Sequence, residues 1–212
     1  MKAKIAKYLL SVGAVFLRPN EPFTWASGIK SPIYCDNRLV LTAPDVRLFL
    51  EEAMANLITE KYPDCEVLIG TSTAGIPHAA IIANITSLPM GYVRTSAKDH
   101  GRGNRIEGKI REGQKAVVIE DLISTAGSVI EVVNVLREAK ANVLGIVSIF
   151  TYGMKKAEEN LKNTNVENTS LTDFDSIVYE AVKEGYINEG DVEKLFAFRD
   201  NPEDESWMEV KN

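Results

Sequence analysis

The stretch Lys115–Ser128, K-A-V-V-I-E-D-L-I-S-T-A-G-S, decides the fold of this chain. Its apolar run 116–119 is short and rich in Val and Ile, which is typical of a strand buried on both faces of a parallel sheet. Two adjacent carboxylates, Glu120 and Asp121, follow the run directly. Because ligands of open α/β sheets bind at the carboxyl ends of such strands, we expect these acids at a ligand site.

The small residues after the acids suit an anion. Ser124, Thr125, Gly127 and Ser128 leave room for backbone N–H groups around an anion, and the hydroxyls can donate as well. From Val129 the apolar residues recur at helical spacing, so a helix N-terminus would point at the same anion. Taken alone, the segment also fits an ordinary strand–turn–helix with solvated acids.

Strand and helix patterns alternate through most of the chain. The predicted strands cover 66–71, 90–94, 116–120 and 143–151, and the predicted helices cover 2–16, 44–61, 74–86 and 129–140. This alternation predicts an α/β fold with a mainly parallel central sheet flanked by helices. Beyond Thr151 the chain reads as helical and acidic, near 153–162 and 172–199, and Trp207 is expected to dock on the body.

Composition narrows the class of protein. The 212 residues fit one α/β domain, and the net charge of −6 argues against general nucleic-acid binding. No apolar run is long enough to span a bilayer, and the N-terminal segment favours an amphipathic helix over a signal peptide. Cys35 and Cys65 lack metal-ligand spacing, so we expect reduced, buried thiols in a cytoplasmic protein.

A basic loop stands out against this acidic background. Residues 94–111 hold six lysines and arginines against two acids, a local charge of +4. Gly101, Gly103 and Gly108 give the backbone freedom, so a cationic lid over a polyanion such as pyrophosphate is the preferred interpretation. A solvated surface loop is the alternative.

Two further segments have weaker signals. The stretch 70–77, G-T-S-T-A-G-I-P, suggests a backbone nest for phosphate oxygens, or simply a tight turn between strand and helix. The stretch 23–38, F-T-W-A-S-G-I-K-S-P-I-Y-C-D-N-R, could form the wall of a pocket for a planar base, with Tyr34 stacking. Phe23 and Trp25 fit the core equally well, and His78 is expected to be structural.

These four segments, in this order, resemble the orotate phosphoribosyltransferases of the type I phosphoribosyltransferase family. The stretch 115–128 is similar to the signature for 5-phosphoribosyl-1-pyrophosphate (PRPP), and A-K-D-H-G at 97–101 is the specific mark. The resemblance covers roughly 5–152. It implies a single domain, 1–212, of the type I phosphoribosyltransferase fold. That domain would comprise an N-terminal hood over the base site (1–42), a PRPP-binding core (43–152) and a helical C-terminal extension (153–212).

The resemblance also implies an activity. A glycosyltransferase of this kind, a pentosyltransferase of pyrimidine biosynthesis, transfers phosphoribose from PRPP to N1 of orotate and releases orotidine 5′-monophosphate and pyrophosphate. It implies Mg²⁺ held mainly by PRPP and water, and a homodimer that shares the lid across its interface, with neither nucleic acid nor membrane as partner. The alternatives are a phosphoribosyltransferase for another base and a PRPP-sensing regulator. The segment S-G-I-K-S-P-I-Y disfavours a purine enzyme, and the acidic balance disfavours a regulator that binds nucleic acid.

Site residues follow from the same resemblance. Lys98 and Asp121 are the implied catalytic residues, and Lys30, Tyr34 and Ser124 the implied orotate-binding residues. The implied PRPP-binding residues are Thr73, Ala74, Arg94, Lys98, His100, Glu120, Asp121, Leu122, Ile123, Ser124, Thr125, Ala126, Gly127 and Ser128. The chain departs from one bacterial branch of the family at four positions, where basic residues are replaced by Ala26, Ala74, Thr95 and Tyr152. These departures leave open how the carboxylate of orotate is bound.

Overall fold

A six-stranded sheet forms the centre of the molecule, in a computed structural model that describes residues 1–25, 27–96 and 105–210. The strand order is β10-β9-β8-β5-β6-β7, in which only β7 runs antiparallel to its neighbour. The α/β class and the mainly parallel sheet are therefore confirmed. The sheet strands are β5 (Val67–Thr71), β6 (Met90–Val93), β7 (Ile106–Glu107), β8 (Lys115–Ile123), β9 (Asn142–Thr151) and β10 (Asn168–Asp173).

Helices cover both faces of this sheet. They are α1 (Lys2–Ser11), α2 (Pro44–Lys61), α3 (Gly75–Thr86), α4 (Gly127–Glu138), α5 (Lys155–Asn163), α6 (Phe174–Lys183) and α7 (Asp191–Asp200). Successive residues of β8 point to opposite faces, so Val117 packs with the side of α1, α2, α3 and α6, and Val118 with the side of α4 and α5. This two-sided burial explains why the strand reads as a continuous apolar run.

The central strand β8 is longer than predicted. It extends to Ile123, so Glu120 and Asp121 lie within the strand rather than after it. The pairing of β8 with β5 ends at Ile119, whereas its pairing with β9 continues to Ile123. A crevice therefore opens at the carboxyl edge of the sheet, beside the two acids, where β5 no longer pairs with β8.

The N-terminal segment consists of α1, which packs against α6 and β10, and two small two-stranded sheets. The predicted helix 2–16 is too long, because α1 ends at Ser11 and Gly13 adopts a left-handed backbone (φ +66°) that stops it. The chain then forms β1 (Val15–Leu17), which pairs antiparallel with β4 (Ile33–Cys35). Between them lies the hairpin of β2 (Phe23–Thr24) and β3 (Lys30–Ser31). A 3-10 helix, Asn37–Thr42, leads into α2.

Beyond Thr151 the predicted helical segments are confirmed by α5, α6 and α7, but the structure also has a strand there. The strand β10 was missed, and it pairs parallel with β9 at the edge of the sheet. Its sequence, N-T-S-L-T-D, is polar because hydroxyl and amide groups stabilise this edge. The Ser148 hydroxyl lies 3.0 Å from Asn168 Oδ1 and 2.7 Å from Ser170 Oγ. Trp207 is buried and packs edge-on against Phe198, as expected. The boundaries of hood, core and extension stay predictions.

Candidate active site

Glu120 is the buried member of the acid pair at the carboxyl edge. Its Oε1 accepts from the Thr71 hydroxyl at 2.7 Å and from the backbone N–H of Asp121 at 2.9 Å. Burial, and next the adjacent Asp121, raise the pKa of Glu120 far above its usual range. Asp121 is only half-buried. The pair thus combines a carboxyl group that holds its proton with a more exposed neighbour.

Asn37 fixes the backbone beside these acids. It is fully buried, and its Nδ2 donates to the carbonyl of Asp121 at 2.7 Å. Its Oδ1 accepts from the thiol of Cys35 at 3.3 Å, and burial raises the pKa of that thiol, which keeps the donor protonated. Sequence reasoning missed Asn37, since an isolated amide in a loop has no periodic signal. The hood is therefore bonded directly to the strand that holds the acids.

The loop after β8 has the shape of a cradle in which an anion could bind. Residues 124–126 join β8 to α4, and Ala126 adopts a left-handed backbone (φ +65°) at the start of that helix. Among the described residues no side chain caps α4, so its first N–H groups are available to a ligand. Asn160 Nδ2 donates a hydrogen bond to the carbonyl oxygen of Thr125 at 2.9 Å. The start of α4 lies where the sequence places it, and the anion site at 124–128 stays a prediction.

A second cradle follows β5, at the start of α3. The Ser72–Thr73 peptide bond is cis, and the Ser72 hydroxyl donates to the carbonyl of Val93 at 2.5 Å. A Cβ on Gly75 would lie 2.4 Å from both the Ile119 carbonyl oxygen and Thr71 Oγ1, so only glycine permits this approach. The close contact brings the start of α3, with Thr73 and Ala74 ahead of it, against β8 and its acids.

A cavity of about 410 Å³ lies between the hood and the loop after β8. Three aromatic rings line it, those of Trp25, Tyr34 and Tyr152, and Trp25 meets Tyr152 edge-on at 5.6 Å between ring centroids. Burial raises the pKa of the Tyr152 hydroxyl, which stays neutral. The other lining residues are Thr24, Cys35, Leu122 and Ser124. Shape and lining suit a planar aromatic ligand.

The structure brings together most of the predicted base-site residues. Tyr34 and Ser124 line the cavity as predicted, whereas Lys30 does not line it and instead donates to the Thr24 hydroxyl at 2.8 Å. For Trp25 the sequence left open a place in the core or in the pocket wall. The side chain is half-buried and does line the cavity. The sequence did not predict that Leu122 lines the base cavity, since its position depends on the extension of β8 to Ile123.

The basic loop is described only at its two ends. Arg94, directly after β6, forms an ion pair with Glu107 at 3.7 Å. The guanidinium of Arg105 donates to the carbonyls of Arg94 and Thr95 at 3.0 and 3.1 Å, and to Glu131 of α4 at 2.6 Å. The predicted residues Lys98 and His100, like Ala26 of the hood, lie outside the described residues.

His78 has a structural role, as expected. It is buried between α3 and α2, where its Nδ1 lies 2.5 Å from Oε1 of Glu51. Burial raises the pKa of Glu51. Elsewhere in the described residues, His, Cys, Asp and Glu side chains form no group of three that could hold a metal ion. No helix within those same ranges is long and apolar enough to cross a membrane.

Comparison with known proteins gives a consistent result. Residues 43–183 match the family model described as a phosphoribosyl transferase domain. The chain is 54% identical to an orotate phosphoribosyltransferase of Bacillus subtilis, over 98% of this chain and 96% of that protein. A Bacillus cereus orotate phosphoribosyltransferase is 53% identical, over 98% and 99%.

Solved structures show the same architecture. An orotate phosphoribosyltransferase from Aeropyrum pernix superposes with a TM-score of 0.75 at 28% identity, covering 87% of this chain and 99% of that one. The UMP synthase of Leishmania donovani gives a TM-score of 0.78 at 25% identity, covering 93% of this chain and 42% of that one.

Proposed function

The chain belongs to the phosphoribosyl transferase family, and we infer from this premise that it is an orotate phosphoribosyltransferase. It transfers the 5-phosphoribosyl group of PRPP to N1 of orotate, giving orotidine 5′-monophosphate and pyrophosphate. The observation that carries this conclusion is the identity of 53–54% with orotate enzymes over 98% of the chain. The base cavity beside the anion cradle agrees with it, since a transferase must hold base and phosphoribose side by side.

We expect PRPP to bind along the carboxyl edge of the sheet. The 5′-phosphate would bind at 124–128, at the start of α4, and the ribose hydroxyls would meet Glu120 and Asp121. Pyrophosphate would lie near Thr73, Ala74 and Arg94, together with Lys98 and His100. Supporting this arrangement, Gly75 places the second cradle in contact with β8, so both cradles flank one crevice.

The chemistry requires electrostatic stabilisation and no protein nucleophile. Breaking the C1–O bond of PRPP builds positive charge on the ribose and negative charge on pyrophosphate. The half-exposed carboxylate of Asp121 would stabilise the first, and Lys98, Arg94 and His100 the second. Glu120, whose raised pKa favours the protonated form, can donate to a ribose hydroxyl while Asp121 accepts from another. Closing the crevice would exclude water and prevent hydrolysis of PRPP.

The family generally uses Mg²⁺ with PRPP. The residues present fit an ion whose ligands come mainly from PRPP. Glu120 already accepts two hydrogen bonds, which leaves Asp121 as the more accessible carboxylate of the pair. Mg²⁺ keeps several waters and prefers substrate phosphates as ligands. We therefore propose that PRPP and water hold the ion, which when bound neutralises charge on the leaving pyrophosphate.

The assembly and location are proposals that rest on the family resemblance. We propose a cytoplasmic homodimer in which the basic loop of one chain reaches the site of its neighbour. Sizing by light scattering tests the dimer. Mixing Lys98→Ala with Asp121→Asn chains, each of low activity alone, tests the shared site, because mixed dimers would regain one complete site and therefore activity.

The base assignment has a direct test. The loss of orotate ultraviolet absorbance should require both PRPP and Mg²⁺, and uracil and hypoxanthine should not be consumed. Turnover of hypoxanthine without turnover of orotate would leave the fold intact and overturn the choice of base.

A further inference from the structure

We propose that Lys30 and Thr24 together recognise the carboxylate of the base, an inference that rests on orotate being the acceptor. Orotate is an anion whose carboxylate must leave water when the base enters the cavity. The seven side chains that line this cavity are all neutral. Because a desolvated carboxylate without a positive or hydrogen-bonding partner is costly, the site needs a nearby cation.

Lys30 lies next to the cavity through its contact with Thr24, which lines it. Thr24 and Lys30 face each other across the β2–β3 hairpin, and the ammonium donates to Thr24 Oγ1 at 2.8 Å. Within the described part of the chain, no carboxylate forms an ion pair with Lys30, so its charge is available to a ligand. Lys30 thus differs from Lys2, Lys7 and Lys61, which are all paired with acids.

Thr24 connects this charge to the cavity that it lines. Its oxygen accepts from Lys30, so its own O–H is not used in that bond and can donate to a ligand. A carboxylate oxygen bound to that O–H would lie within about 4–5 Å of the ammonium, given ordinary hydrogen-bond lengths. The second oxygen could then accept from Lys30 directly. Hydroxyl and ammonium together provide donors for both carboxylate oxygens.

Arg18 offers a matched control in the same part of the hood. Its guanidinium lies over the ring of Phe23, 5.0 Å from the centroid, and it lines a neighbouring cavity of about 340 Å³. That neighbouring cavity shares Thr24 and Tyr34 with the base cavity, but Arg18 does not line the base cavity itself. Removing this charge therefore tests general attraction of anions to the hood.

The test uses two nucleotides that differ only by the carboxylate. Orotidine 5′-monophosphate and uridine 5′-monophosphate are titrated by calorimetry into wild type and into Lys30→Gln, Lys30→Arg, Thr24→Val and Arg18→Gln. In Lys30→Gln the affinity for orotidine 5′-monophosphate should fall about 10- to 100-fold, the effect of one lost charge-assisted hydrogen bond, with the affinity for uridine 5′-monophosphate unchanged. Lys30→Arg should restore most of the difference, Thr24→Val should reduce it, and Arg18→Gln should leave it unchanged.

Several results would overturn the proposal. Equal loss of both nucleotides in Lys30→Gln would mean that Lys30 supports the fold or the phosphate. A selective loss only in Arg18→Gln would move carboxylate recognition to the neighbouring cavity. Equal affinity of wild type for the two nucleotides would show that the carboxylate is not recognised. Wild-type turnover of orotate is measured separately. Absence of that turnover would contradict the proposed function, whereas turnover without a selective effect in Lys30→Gln would contradict only carboxylate recognition by Lys30.

Discussion

Removing the Asn37 side chain tests how the hood positions the acid pair. In Asn37→Ala the Asp121 carbonyl loses its donor at 2.7 Å, and the Cys35 thiol loses its acceptor at 3.3 Å. A buried polar group left unpaired costs about 1–3 kcal/mol, and the space left by the fully buried amide adds to this. We expect a total loss of about 2–4 kcal/mol in the free energy of unfolding.

Activity should change in a way that general destabilisation does not predict. Because the lost bond lies on the backbone of Asp121, the KM for PRPP should rise about tenfold, equivalent to about 1.4 kcal/mol, and the KM for orotate should change less. Urea unfolding and steady-state kinetics measure the two effects. Asn142→Ala, an exposed asparagine at the start of β9, is the matched control. An unfolding free energy and a PRPP KM equal to those of this control would show that Asn37 does not position the Asp121 backbone.

Three further predictions concern other parts of the site. Gly75→Ala should lose about 1–3 kcal/mol of unfolding free energy, because its Cβ would lie 2.4 Å from the Ile119 carbonyl. Gly127→Ala, whose nearest neighbour to a Cβ would be 3.9 Å away, should lose less than half as much by urea titration; equal losses would contradict the close approach. Lys98→Ala should lower turnover about 10²-fold at saturating substrates, and unchanged turnover would remove Lys98 from the mechanism. The raised pKa of Glu120 means that its folded state holds a proton more tightly than the unfolded state. The unfolding free energy of wild type should therefore fall relative to that of Glu120→Gln as pH rises above 4.5, the ordinary pKa of a glutamate. If the difference in unfolding free energy does not change between pH 4.5 and neutrality, the pKa of Glu120 is not raised.

The sequence predicted the elements whose signals are local. The helix α2 was placed correctly at 44–61, since Pro44 opens it and Pro63 prevents its continuation. The central strand and the turns that follow β5 and β8 were also located, because apolar runs and small residues show them directly; anion binding by these turns stays a prediction. The length of β8 was underestimated, since E-D-L-I at 120–123 has a strand partner only on the β9 side.

Contacts between distant residues could not be predicted in this way. The strand β10 has too little apolar character for its pattern to indicate a strand, and its stability comes from side-chain bonds to β9 and from pairing at the sheet edge. Thr71 and Glu120 meet only after β5 and β8 align, and Asn37 meets Asp121 only after the hood docks. Such bonds join residues 49 and 84 positions apart, so no local pattern indicates them.

Release of pyrophosphate from PRPP, measured with and without orotate, distinguishes a transferase from a protein that only binds PRPP. We expect one pyrophosphate released for each orotidine 5′-monophosphate formed, in the presence of Mg²⁺, and almost none without orotate, because a closed crevice excludes water. Tight binding of PRPP with no pyrophosphate released in the presence of orotate would contradict catalysis and favour a PRPP sensor.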